Sequence, residues 1–302
     1  MSILTKEADP LFVQPRAERP AYATGMLLDA QDFSDEQTYH RSRLARAMAF
    51  LAGGGTLAGL EVEHVPGSAT QVEEIRVKPG LAVDRLGRLV ELPRDACIRL
   101  PNWFALIEAS DGGDTLRTAA YENVARFVSP RMSDSAAVLP ASALIADVFI
   151  RFVGCPVGLT PSFAQGPFDA LNAVSTSRIR DAYELKLIPR SGLDDAYDGL
   201  PIPPADAVLS NPASTAAERR DAAQDAVLDA YGGAEHAGGS GGLQPAPEHP
   251  ADLDYSAVFL GRVFIPVDDI TSPARTADVP LVDNWGRRFL PSSPLLAQWV
   301  GL

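Results

Sequence analysis

The sequence predicts a β-rich α+β fold, with mostly antiparallel sheets, one N-terminal helix and an acidic insert. Three observations predict it. Alternating apolar segments outnumber helical ones, glycine and proline punctuate them at hairpin spacing, and no regular strand–helix–strand alternation appears. With 302 residues and 46% hydrophobic residues, the chain can bury a sizeable core. Its net charge of −13 argues against a nucleic-acid binder, which carries a basic face. No apolar run reaches the roughly 18 residues of a membrane span. No apolar leader follows Met1, so synthesis in the cytoplasm is expected. Cys97 and Cys155 are too few for a disulfide framework and are expected as small buried hydrophobes.

Residues 1–30 show no period and are punctuated by Pro10, Pro15 and Pro20, which predicts an extended arm. Residues 31–190 are expected to form a helix plus a β-rich domain. Ser34-Asp35-Glu36-Gln37 reads as a capping box that opens a helix over about 35–52. Tyr39, Leu44, Met48 and Leu51 recur at helical spacing and are expected to pack on the chain's own sheet, with Ala47 and Phe50 widening the stripe. Arg41, Arg43 and Arg46 lie off it. Gly53-Gly54-Gly55 stops the helix, because glycine takes the left-handed C-terminal conformation without strain.

Strand signals follow at Leu60–Glu63, Val72–Val77, Leu81–Asp84, Arg88–Leu92 and Ala96–Leu100, with a tight hairpin through Arg85-Leu86-Gly87. Residues 103–109 are apolar without a deciding period, Asp111–Asp114 is a turn, and a helix is expected over about 115–127. Asp147–Val153 and Tyr183–Ile188 read as strands. Residues 191–257 hold twelve acids against two bases, which is −10 of the total −13, and are rich in Ala, Pro and Gly. They read as an inserted acidic segment, with one helix opened by the capping box Thr215–Glu218. Residues 258–302 supply the strand Val258–Ile265 and a tail that completes the β-rich domain.

Candidate chemistry is sparse. Gly238-Gly239-Ser240-Gly241-Gly242 matches a nucleophile elbow but lacks the flanking strand and helix, so it reads as linker. The glycines at 53–55 and 59 follow a helix, whereas a phosphate cradle precedes one. Glu235-His236 and Glu248-His249 carry metal-ligand chemistry, but in a stretch without a rigid frame. Asp84, Glu91, Asp95 and Glu108 are carboxylates of the type used in pairs for acid–base work. Each also has an ordinary structural reading, so no catalytic residue, metal site or cofactor is expected.

Several pieces together resemble a known family. They are Arg19-Pro20-Ala21-Tyr22, Thr24-Gly25-Met26-Leu27-Leu28, Asp32-Phe33, Glu36-Gln37 and Tyr39-His40-Arg41, followed by Gly55–Val62, Pro79–Asp84 with Gly87-Arg88, Ser177–Leu185 and Val282–Arg288. The pattern is similar to poorly characterised bacterial proteins associated with phage-tail-like contractile injection systems and phage tail modules. The resemblance implies a structural or adaptor subunit near the baseplate or fibre attachment, acting by assembly contacts. Its implied partners are other tail or baseplate subunits, in a homo-oligomer or large complex, and its implied location is the assembled virion or injection particle. A carboxylate-based hydrolase and a glycan-binding β-domain are the alternative readings. The arm and helix supply the candidate partner-binding residues Phe12, Tyr22, Met26, Leu27, Arg41, Arg43 and Arg46.

Overall fold

A computed structural model describes residues 9–12, 17–161, 174–201, 207–232 and 243–300. The fold is β-rich α+β, and every pair of neighbouring strands is antiparallel. Helix α1 spans Ala30–Leu51. Strands β1 (Gly55–Gly59), β4 (Gly80–Val83) and β5 (Leu89–Leu92) make one sheet in the order β1-β4-β5. Strands β2 (Val62–Val65), β3 (Glu74–Val77) and β6 (Ala96–Arg99) make a second. Helices α2 (Leu100–Asp111) and α3 (Asp114–Thr118) follow. The third sheet joins β7 (Ala120–Glu122), β8 (Ser142–Pro161), β10 (Val258–Pro266) and β11 (Leu281–Asp283), with β9 (Val174–Pro189) paired to β8. Helix α4 (Pro130–Ser133) precedes β8, α5 (Ala216–Asp229) lies in the acidic segment, and α6 (Ser293–Val300) ends the described chain.

The main core runs between the sheets through Leu60, Ile75, Leu92, Leu144, Ile150 and Leu260. Strand β10 is buried along its whole length, which explains its near-continuous apolar run. A register shift between Phe259 and Gly261 changes its phase. Val258, Leu260, Val263 and Ile265 therefore face the main core, while Phe259 and Phe264 feed two satellite clusters.

Arg262 also lies on β10 and is fully buried. It stands opposite Asp147 of β8 and donates to both carboxylate oxygens, at 2.8 and 3.0 Å. Its remaining contacts are the carbonyls of Phe127 (3.1 Å) and Asp198 (2.9 Å). Arg190 reaches the same carboxylate at 3.3 Å and donates to the Glu248 carbonyl at 2.6 Å. This buried cluster pins β8, β10, the end of β9 and both ends of the acidic segment together.

Several elements differ from the sequence reading. Helix α1 starts five residues earlier than Asp35. Its N-cap is Asp29, which accepts from the Gln31 and Asp32 amides while Asp32 accepts from the Asp29 amide. The expected helix over 115–127 stops at Thr118. Ala119 and Ala120 are drawn into the core, where Ala120 pairs with Leu144, and Asn123 turns the chain with φ 52°. The apolar 103–109 stretch is helical, as part of α2. Cys97 is exposed, because edge strand β6 turns Ala96 and Ile98 toward the core and the alternate position outward. Cys155 is half-buried.

The 191–257 segment is built into the body at both ends. Leu193, Leu200, Leu253, Ser256 and Ala257 are buried, as are Glu248 and His249. Helix α5 carries the expected Thr215–Glu218 capping box and buries no residue at all. His249 Nε2 bonds the Ala257 carbonyl at 2.9 Å, and Nδ1 accepts from the Ala246 amide at 3.3 Å. Both ring nitrogens are thus satisfied only in the neutral form. Burial pushes the imidazole below its ordinary value of 6.5, against the pull of Glu248. A depressed value in the folded state means that the unfolded chain binds the proton first. Stability is then fully present above pH 6.5 and declines as pH falls below it. The melting temperature is expected to fall between pH 7 and 5.5, and His249→Gln is expected to flatten that slope. An unchanged slope in the variant would refute the assignment.

Candidate interaction surface

Helix α1 meets the body through Ser42, Ala45 and Ala49, which lie on one face and are its buried residues. They rest on the β4–β5 hairpin. A Cβ at Gly87 would lie 1.7 Å from the Ala45 carbonyl oxygen, so backbone approaches backbone. The hairpin is fixed by Asp84, which accepts from the amides of Leu86 (3.0 Å) and Arg88 (2.8 Å) and from Arg88 Nε (2.7 Å). Only small side chains fit such a contact. The expected stripe therefore does not pack on the chain's own sheet: Leu44 is 68% and Leu51 86% exposed, while Tyr39 and Met48 are half-buried.

The arm folds along the outer side of α1. The Tyr22 hydroxyl donates to the Glu36 carboxylate at 2.6 Å, a bond that raises the phenol above its ordinary value. Arg19 lies 5.9 Å from the Tyr39 ring centre. Met26, Leu28 and Phe33 are exposed, and Leu27 is 94% exposed. The Phe12 side chain lies outside the described residues.

Arg41, Arg43 and Arg46 all lie off the buried face of α1, and each has a partner in its own chain. Arg41 pairs with Asp9 at 3.3 Å, Arg43 lies over Tyr39 at 5.1 Å, and Arg46 lies over Phe50 and Tyr231 at 5.4 and 5.2 Å. Asp9 also reaches Arg88 at 2.9 Å, where the guanidinium is buried. The start of the arm is thus latched to the β4–β5 hairpin. Asp9→Ala is expected to cost about 1–3 kcal/mol in urea denaturation, because it removes a charge-assisted bond to the buried Arg88 guanidinium, which keeps Asp84 and Ser256. A change below about 0.5 kcal/mol would show that the latch carries nothing.

Sequence reasoning missed the second exposed feature. Strand β10 covers β8 only over Ala143–Ile150, yet β8 and β9 stay paired out to Pro161 and Val174. From Gly154 to Pro161 the two strands form a bare ribbon, roughly 25 Å long at about 3.3 Å per residue. No third strand flanks it among the described residues. Leu159 is 75% exposed, and Ile179, Arg178 and Arg180 are exposed. The signal was present: Thr176–Asp181 has β character but only Ile179 as an apolar residue, so it has no core-facing row.

The other candidates separate. Asp84 is buried in its hairpin, whereas Glu91, Asp95 and Glu108 are exposed on β5, the following loop and α2. None of the four hydrogen-bonds another. Partial desolvation of Cys97, then the Glu74 carboxylate beside it, push its thiol above the ordinary value and disfavour thiolate. Gly53 takes φ 73° as the helix stop. Glu235, His236 and Gly238–Gly242 lie outside the described residues. Among the described residues no group of three His, Cys, Asp or Glu is placed to hold a metal ion, and no helix is long and apolar enough to cross a membrane. No protein-family model matches the chain, and no curated protein matches it.

Proposed function

We propose that the chain is a structural or adaptor subunit of a phage tail or contractile injection particle, near the baseplate or fibre attachment, and that it acts by assembly contacts and not by catalysis. The observation that carries this reading is the β8–β9 ribbon. A two-stranded hairpin is marginal in water by itself, and its unpaired edges invite pairing with another chain. The exposed apolar row of the arm and α1 supports the same reading, since Leu27, Leu44 and Leu51 find no cover among the described residues. Partners would bury on the order of 1,000 Å² or more per contact. The kind of particle follows from the resemblance of the arm, the hairpin and the Val282–Arg288 segment to the family named above.

The test separates folding from assembly. Gly154 and Asp181 stand opposite each other, so residues 155–180 can be replaced by an Asn-Gly turn. The trimmed chain is expected to melt within a few degrees of the parent and to be lost from the assembled particle. Normal incorporation of the trimmed chain would remove the main support for the reading.

A further inference from the structure

We infer that the ribbon of one copy docks, basic face first, on helix α5 of a second copy. The inference rests on the assembly reading and names its partner. Residues opposite one another in an antiparallel pair share a face. Arg178 stands opposite Val157 and Arg180 opposite Cys155, with Leu159 next along the row. One face of the ribbon therefore carries two arginines beside an apolar strip. Both arginines are exposed, and neither forms an ion pair with a described residue.

Helix α5 is the complementary surface. Glu218, Asp221, Asp225 and Asp229 recur at spacings of three, four and four, so at about 100° per residue they fall within one stripe roughly 80° wide. Asp221 also accepts from its neighbour Arg220 at 2.6 Å. Arg219 and Arg220 lie away from the stripe, and Leu228, exposed, borders it. The helix is tied to the body at its far end, where Tyr231 stacks on Phe50 at 6.1 Å.

The spacings match. Arg178 and Arg180 are about 6.6 Å apart along a strand, and acids one turn apart on a helix are separated by about 5–6 Å. Each element is also poorly supported alone. A 14-residue helix with no buried residue is marginal in water, as is a bare ribbon. Within one chain the ribbon arginines do not pair with the α5 acids, which leaves both charged surfaces open to a second copy. Ribbon and helix are different patches, so the contact is head-to-tail and propagates into a ring or an open row. The charges set register and approach, and Val157, Leu159 and Leu228 supply the apolar burial.

The experiment is sedimentation velocity on the full chain over a concentration series reaching about 100 µM, at low and high salt. The parent is expected to self-associate, more weakly at high salt. Arg178→Glu with Arg180→Glu is expected to weaken association by about tenfold or more, and so is Asp221→Lys with Asp225→Lys. An equimolar mixture of the two reversed proteins should recover association, because each ribbon then faces an opposite charge. Should the reversal disturb the strand, Arg178→Gln with Arg180→Gln should weaken association in the same direction. A parent that stays monomeric throughout, or association indifferent to these changes, or a mixture that fails to recover, would overturn the inference. In those cases a chain that still sediments inside a large particle from its own cells leaves the assembly reading standing.

Discussion

Arg262→Ala is expected to cost about 3–5 kcal/mol, a large fraction of the roughly 5–15 kcal/mol that keeps a native protein folded. The reason is the company the guanidinium keeps. It is fully buried between β8 and β10, and it is bonded to both oxygens of Asp147 and to two backbone carbonyls. Removing it leaves a carboxylate with only Arg190 beside it and strands the carbonyls of Phe127 and Asp198. Arg262→Lys is expected to lose much of the same stability, because an ammonium cannot reproduce the two-pronged contact. Replacing the pair together, Arg262→Met with Asp147→Leu, should be milder than either single change, although Arg190 then keeps only the Glu248 carbonyl. Urea denaturation of the four proteins checks the order. A single variant as stable as the parent would mean that the cluster does not hold the sheet.

Gly87→Ala is expected to detach helix α1. At φ 84° the left-handed backbone alone costs a side chain roughly 1–2 kcal/mol. The added Cβ would also sit 1.7 Å from the Ala45 carbonyl oxygen and 2.9 Å from the Ala49 nitrogen. Both neighbours are backbone, so no rotamer change relieves the clash, and the helix has to lift. Limited proteolysis should then cut near Ala52–Gly54 much faster than in the parent, with a lower melting temperature. Parent-like resistance would show that α1 does not depend on that contact.

Local signals carried the β4–β5 hairpin, the α5 capping box, the Gly53 helix stop and the β10 strand into the sequence reading, because each is decided by neighbours within a few residues. The start of α1 differs from Asp35 because Asp29, five residues before Ser34, caps the helix through the Gln31 and Asp32 amides. The inward face of α1 was misread because periodicity reports where the apolar residues are, and the close approach of Gly87 selects small ones instead. Register across 115 residues brings Asp147 to Arg262, and no local pattern announces that pairing. Of the candidate surface, the arm was legible as apolar and without a period. The ribbon was not, because only the pairing of β8, β9 and β10 shows where the sheet ends and two strands continue alone.

Size fractionation of the endogenous protein distinguishes a chain that works inside an assembly from one that works alone. Gentle lysis of the cells that make it, followed by gradient sedimentation and detection of the chain, gives its mass in place. The chain is expected to travel with a particle many times its own mass, and replacing residues 155–180 by a turn is expected to move it to the top of the gradient. An endogenous chain found only as a free monomer would rule out the proposed assembly role.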